Sequence, residues 1–176
     1  MTGEAVVGHL VDATDPLVIR VSTGTGEGPT ELAAFDAALR SAGVADHNLI
    51  RLSSMIPTGA VVAVCRPEDQ LRAGFGDALY CVYAAAWATE PGDEAWAGVG
   101  WALAQDGSGR GLFVEHEGSA GDQVRAMIAT SLAAMSRGRD QSFAFTDQVL
   151  GSARCTGQPV CSVVVATYRT AGWRVA

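Results

Sequence analysis

Lysine is absent from this chain of 176 residues, whose 12 basic residues are all arginine. Without lysine, pyridoxal phosphate cannot be held as an internal Schiff base, and a Walker-type phosphate loop cannot be completed. Positive charge is scarce overall: 19 acidic residues leave a net charge of −7. That balance excludes the clustered cationic surface on which nonspecific nucleic-acid binding runs, so no nucleic-acid partner is expected. Cysteine is limited to Cys65, Cys81, Cys155 and Cys161, with no C-x-x-C spacing. These four read as reduced, mostly buried residues, with no disulfide framework and no metal site. Long apolar runs are missing too, the longest being Ala78 to Ala88, too short for a bilayer-spanning helix. The amino terminus carries Glu4, Asp12 and Asp15 and lacks the basic-then-apolar order of a secretory signal. A soluble cytoplasmic protein with no membrane partner is the expectation.

What is present suits one compact domain over residues 1–176. The composition is 48% hydrophobic and 18% charged, and a chain of this length buries roughly 70% of its unfolded surface, enough for a core without staples. Leu17 to Val21 reads as a strand running into a glycine-rich loop, Gly24-Thr25-Gly26-Glu27-Gly28, whose role would be to bring backbone close to a site. Its G-x-G-x-G spacing, followed by Pro29, does not fit a dinucleotide fingerprint.

Pro29 and Thr30 open a first helix with Leu32, Phe35, Ala38, Leu39 and Ala42 on its apolar side and Gly43 at its stop. The stretch from Leu49 to Pro57 is strand-like, and Ala60 to Cys65 is a further strand. Ala78 to Thr89 and Ala95 to Ala104 form a β-hairpin around Pro91-Gly92. Gly111 to Glu115 is another strand, and Val160 to Tyr168 closes the chain as a strand. Ser119 caps a second helix to about Arg137, burying Val124, Met127, Ile128, Leu132 and Met135, with Gly138 ending it. About seven strands and two helices, mostly antiparallel, predict an α+β fold. The four tryptophans, Trp87, Trp96, Trp101 and Trp173, suit core or subunit contacts better than a base-stacking platform in so acidic a chain.

Three further features stand together. They are the run Gly26 to Leu39 with Ala-Phe-Asp at 34–36, the segment Asn48-Leu49-Ile50-Arg51-Leu52-Ser53-Ser54-Met55-Ile56-Pro57, and Gly111-Leu112-Phe113-Val114-Glu115-His116-Glu117-Gly118. A Ser-Ser pair alone is a common turn feature, and no G-x-S-x-G elbow marks a serine hydrolase. In this order and spacing, over roughly residues 17–172, the pieces closely resemble the pyruvoyl-dependent arginine decarboxylases.

The resemblance implies a four-layer αββα sandwich with mostly antiparallel sheets, and a trimer of cleaved protomers with sites between neighbouring subunits. It implies that the Ser54 hydroxyl attacks the carbonyl of Ser53, so that the chain divides into a β chain, 1–53, and an α chain, 54–176. Position 54 then carries a covalent pyruvoyl group. That carbonyl takes up the amine of L-arginine and accepts the electrons released as CO2 leaves, giving agmatine. Within the same resemblance, Glu115 is the general acid that returns a proton to Cα, a task suited to a carboxyl whose pKa desolvation raises. Asn48 donates to a developing oxyanion or the substrate carboxylate. Asp36 binds the guanidinium. Strand alternation puts Glu117 on the side of Glu115 and His116 on the other. Two other readings stay open: the same cofactor acting on another amino acid, and an uncleaved, non-catalytic homologue that serves as an assembly partner.

Overall fold

The computed structural model describes residues 16–139 and 142–173. Glu4, Asp12 and Asp15, used above to argue against a signal segment, lie outside the described residues. The elements are β1 (Val18–Glu27), α1 (Glu31–Ser41), β2 (Asn48–Arg51), β3 (Met55–Ile56), β4 (Val61–Val64), β5 (Ala78–Ala88), β6 (Glu94–Ala104), β7 (Gly111–Gly118), α2 (Gly121–Arg137), β8 (Phe143–Arg154) and β9 (Val160–Ala171). One sheet has the order β2-β5-β9-β1-β4 and the other β3-β7-β6-β8. Among the described strands only β1–β4 and β2–β5 pair in parallel; the remaining pairings are antiparallel.

Three apolar layers separate four structural ones. Between the sheets, Ile19, Val82, Val99, Trp101, Phe113, Val164 and Tyr168 form the central core. On the outer face of the first sheet, Ala34, Ala38 and Ala42 of the α1 region pack on Leu79, Cys81, Val163 and Val165. On the outer face of the second, Val124, Ile128 and Leu132 of α2 pack on Ala102, Leu112 and Val114. This is the αββα sandwich, an α+β fold in which each sheet is covered by one helix.

Four local expectations are corrected. The glycine-rich segment is no loop but the second half of β1, paired with β9 through Glu27. A Cβ at Gly24 would lie 2.2 Å from the Ala38 carbonyl, and one at Gly26 would lie 2.3 Å from the Ala38 amide. These glycines let α1 lie almost backbone to backbone on the strand, and the close approach selects alanine on the helix face. It also corrects the place of Leu32, which is 77% exposed because the buried stripe runs through Ala34 and Ala38 instead.

Nor do β5 and β6 form a hairpin. Each is a strand of a different sheet, and Pro91-Gly92 turns the corner between layers, pinned by Gly92 N donating to Cys155 O and Cys155 N donating to Asp93 O. Both strands have inner faces of alanine and aromatic residues that fill the central core, which pairing side by side in one sheet would not achieve. At α2 the N-cap is Ala120, with no side-chain cap, so Ser119 does not cap it. Thr30 does cap α1, accepting from Ala33 N at 3.1 Å.

The long strand β8 was not anticipated. Its sequence, with Asp147, Gln148, Gly151 and Ser152 inside it, lacks clean alternation because it is the edge of its sheet and only partly buried. The strand-like stretch from Leu49 to Pro57 is broken in two: β2 belongs to one sheet and β3 to the other. The chain crosses between the sheets at Leu52, Ser53 and Ser54, a break that positions the chemistry.

Candidate active site

Leu52 N still bonds to Cys81 O of the first sheet at 2.9 Å, while Phe113 N of the second donates to Ser54 O at 2.8 Å. The chain therefore passes from one ladder to the other within Leu52, Ser53 and Ser54. Ser54 absorbs the change of direction with φ +65, one of only two non-glycine residues with positive φ among those described. A serine gains nothing by adopting this left-handed conformation, and it persists because both flanking ladders hold it there. Ser53 is exposed and Ser54 half-buried.

On β7, Phe113 points into the central core and Glu115, two residues on, shares its side. The Ser54 hydroxyl donates to Glu115 Oε1 at 2.7 Å. Only 12% of the Glu115 side chain is exposed, and its other oxygen, Oε2, lies 3.9 Å from an Arg51 guanidinium nitrogen. Burial pushes the Glu115 carboxyl above the ordinary glutamate range. The Ser54 hydrogen bond, Arg51 and His116 pull it partly back, and Glu117 adds to the rise. A carboxyl in this setting has the chemistry either to accept a proton from a hydroxyl or to deliver one.

The surroundings are dry and mostly neutral. Tyr168, 6% exposed, donates its hydroxyl to Met55 O at 3.0 Å and stacks edge-on to Phe113, which meets Trp101 in turn. Burial, then Glu115 and Cys81, drives the Tyr168 phenol above its usual range. Burial pushes the Cys81 thiol up to about 12, which keeps it protonated. Neither group competes with Glu115 for protons near neutral pH. His116 faces the opposite layer as alternation requires, its Nε2 2.8 Å from Ser131 Oγ of α2.

The other two site residues stand apart from this pair. Asn48, exposed at the start of β2, donates through Nδ2 to Gly76 O at 2.5 Å and so tethers the loop before β5. Asp36 lies on the solvent side of α1 in an ion pair with Arg40, both side chains more than half exposed. Within one chain neither touches Ser54 or Glu115. A cavity of about 400 Å³ between the turn after α1 and residues 67–75 borders neither member of the pair. Arg51 and Tyr168 were missed as site residues in the sequence. Arg51 alone carried a signal, as the one charge in an otherwise apolar approach to Ser53.

The residues present fit a carbonyl group made at position 54. The Ser54 hydroxyl is held by a buried carboxyl group, on a strained backbone between two fixed ladders.

A family model described as pyruvoyl-dependent arginine decarboxylase matches residues 18–171, which hold both Ser54 and Glu115. The chain belongs to this family. Among its relatives, the pyruvoyl-dependent arginine decarboxylase of Halobacterium salinarum is 37% identical over 155 residues, covering 85% of this chain and 92% of the relative. The protein of the same name from Thermoplasma volcanium is 34% identical over 120 residues, 68% of this chain and 65% of its own. That of Methanocaldococcus jannaschii is 35% identical over 103 residues, 58% of this chain and 59% of its own. The family is one of enzymes, and its name states the dependence on a pyruvoyl group. No described helix is long and apolar enough to cross a membrane. All four cysteines are free, three of them buried.

Proposed function

We propose that the chain cuts itself between Ser53 and Ser54 and then converts L-arginine to agmatine and CO2. The observation that carries this reading is the 2.7 Å hydrogen bond from Ser54 to Glu115 at a residue with φ +65, in a chain of this family.

In the cleavage, Ser54 Oγ gives its proton to Glu115 and bonds to the Ser53 carbonyl carbon. The 53–54 C–N bond breaks as the Ser54 nitrogen takes up a proton, and the amide becomes an ester. Loss of the Cα proton of residue 54 expels the Ser53 carboxylate. Water then replaces the nitrogen of the unsaturated residue 54, releasing ammonia. The carbonyl left there supplies the electron sink that decarboxylation requires.

In turnover Glu115 acts in the other direction. Its buried position favours the protonated form, which delivers a proton to the carbon that CO2 has left. Tyr168 and Phe113 keep water from the inner side of this carboxyl. Asn48 steadies the reacting centre and Asp36 receives the guanidinium. Both stand on the surface of the single chain, which supports sites shared between neighbouring cleaved protomers; that the assembly is a trimer is what the resemblance implies. The four free thiols support a cytoplasmic protein.

Intact-mass measurement on purified protein tests the first half. Fragments 1–53 and 54–176 are expected, the second lacking a free amine. A lasting full-length species overturns the enzyme reading and leaves the uncleaved assembly partner. A screen of amino acids for CO2 release tests the second half, and release from another amino acid but not arginine overturns the substrate.

A further inference from the structure

The two oxygens of Glu115 have different neighbours: Ser54 Oγ at Oε1 and the Arg51 guanidinium, 3.9 Å away, at Oε2. Arg51 is the last residue of β2, three before Ser54, and its guanidinium lies over the Tyr83 ring, 5.0 Å from the centroid. That stacking holds the cation at the site, while 57% of its side chain stays exposed. Among the described residues, the 3.9 Å approach to Glu115 is its sole acidic neighbour, too long for a hydrogen bond, so the planar fork of donors stays open.

An open guanidinium fork is matched in shape and charge by a carboxylate. An amino acid that reacts through its nitrogen at position 54 carries its carboxylate two bonds from that nitrogen, and Ser54 and Arg51 flank the same Glu115 carboxyl.

We propose that Arg51 reads the α-carboxylate of the substrate, holding the amino acid before CO2 leaves and repelling the more cationic amine that remains. This rests on the decarboxylase reading above. Arginine carries one net positive charge and agmatine two, so a fixed cation at the carboxylate end favours the first over the second. The contact belongs to the ground state, since the carboxylate charge disappears as the C–C bond breaks. Arg51 therefore serves binding and product release, and does not accelerate the chemical step.

The test pairs kinetics with equilibrium binding. Arg51→Gln should raise KM for arginine roughly tenfold, the scale of one charge-assisted hydrogen bond, without lowering kcat, while agmatine inhibits more strongly. Arg51→Lys, which keeps the charge, should recover part of the KM. In the Ser54→Ala background, which should remain full length, calorimetry should find arginine bound more tightly than agmatine. Adding Arg51→Gln should abolish that preference. The proposal is overturned by an unchanged KM, by a fall in kcat, by weaker agmatine inhibition, or by the absence or persistence of the calorimetric preference in the single or double variant respectively. Wild-type CO2 release from arginine is measured in the same assay. An error in the decarboxylase reading appears there, and an error about Arg51 only in the variants.

Discussion

The Phe113 amide donates to the Ser54 carbonyl at 2.8 Å, so the strand that presents Glu115 two residues later also fixes the backbone of the serine that Glu115 contacts. Carboxyl and hydroxyl are thus positioned by a single β7 backbone, with Ser54 forced to φ +65 as the consequence. A left-handed conformation costs a residue bearing a Cβ on the order of 1–2 kcal/mol. Ser54→Gly removes the same hydroxyl as Ser54→Ala but releases the strain. Both should stay uncleaved, and Ser54→Gly should be the more stable of the two by about 1 kcal/mol in denaturant unfolding. Equal stability would remove the strain from the account.

Glu115→Gln separates the two duties given to this side chain. Glutamine still accepts a hydrogen bond from Ser54 but neither takes up nor returns a proton. Cleavage should slow, and the cleaved fraction should turn over slowly as well, each by roughly 10²-fold or more on the usual scale of general acid–base contributions. Time-resolved gel analysis reads the first effect and single-turnover CO2 release the second. Normal cleavage with slow turnover would confine Glu115 to proton return.

The two helices were legible because each leaves a local signature, Thr30 at a cap and apolar positions in α2. The αββα layers, and Ser54 and Glu115 as candidate site residues, came from the motif blocks that carry the resemblance, and the hydrogen bond between the two was not foreseen. What escaped was set by partners far along the chain. Nothing near Gly24 announces that Ala38 will lie on it, and Pro91-Gly92 turns the chain whether the next strand joins the same sheet or the other one. The break at Ser53-Ser54 was hidden for the same reason, since the segments on both sides of the serine pair are strand-forming and only pairing assigns them to β5 and β7. Asn48 and Asp36 touch neither member of the pair in one chain, so the roles proposed for them require a neighbouring copy.

The close approach of helix to strand yields a graded comparison. A Cβ at Gly24 would meet α1 backbone, the Ala38 carbonyl at 2.2 Å, whereas one at Gly100 would meet the Ile128 Cγ2 methyl at 2.3 Å. Backbone yields only if the whole helix shifts, while a side chain relieves overlap by changing rotamer. Gly100→Ala should fall within the usual overpacking cost of about 1–3 kcal/mol, and Gly24→Ala should exceed it. Thermal unfolding of both variants, made in the Ser54→Ala background to avoid fragments, tests the order. The reverse order would mean that α1 is the looser of the two helices.

The pH dependence of Glu115 follows from its burial. Its folded pKa is raised, so between the ordinary glutamate value and that raised value the folded chain binds more protons than the unfolded one, and stability falls as pH rises through this window. The slope should be present in Ser54→Ala and absent from Ser54→Ala/Glu115→Gln. It should also reach higher pH in Ser54→Ala than in an intact chain, because the Ser54 hydroxyl is one of the groups that pull the carboxyl down. Turnover obeys the same sign. The proton donor is present below the raised pKa and lost above it, so kcat should fall on the alkaline side, and Arg51→Gln, by removing a cation that favours the ionised form, should move that fall to higher pH. A kcat profile unmoved by Arg51→Gln would mean that the titrating acid in turnover is a group other than Glu115.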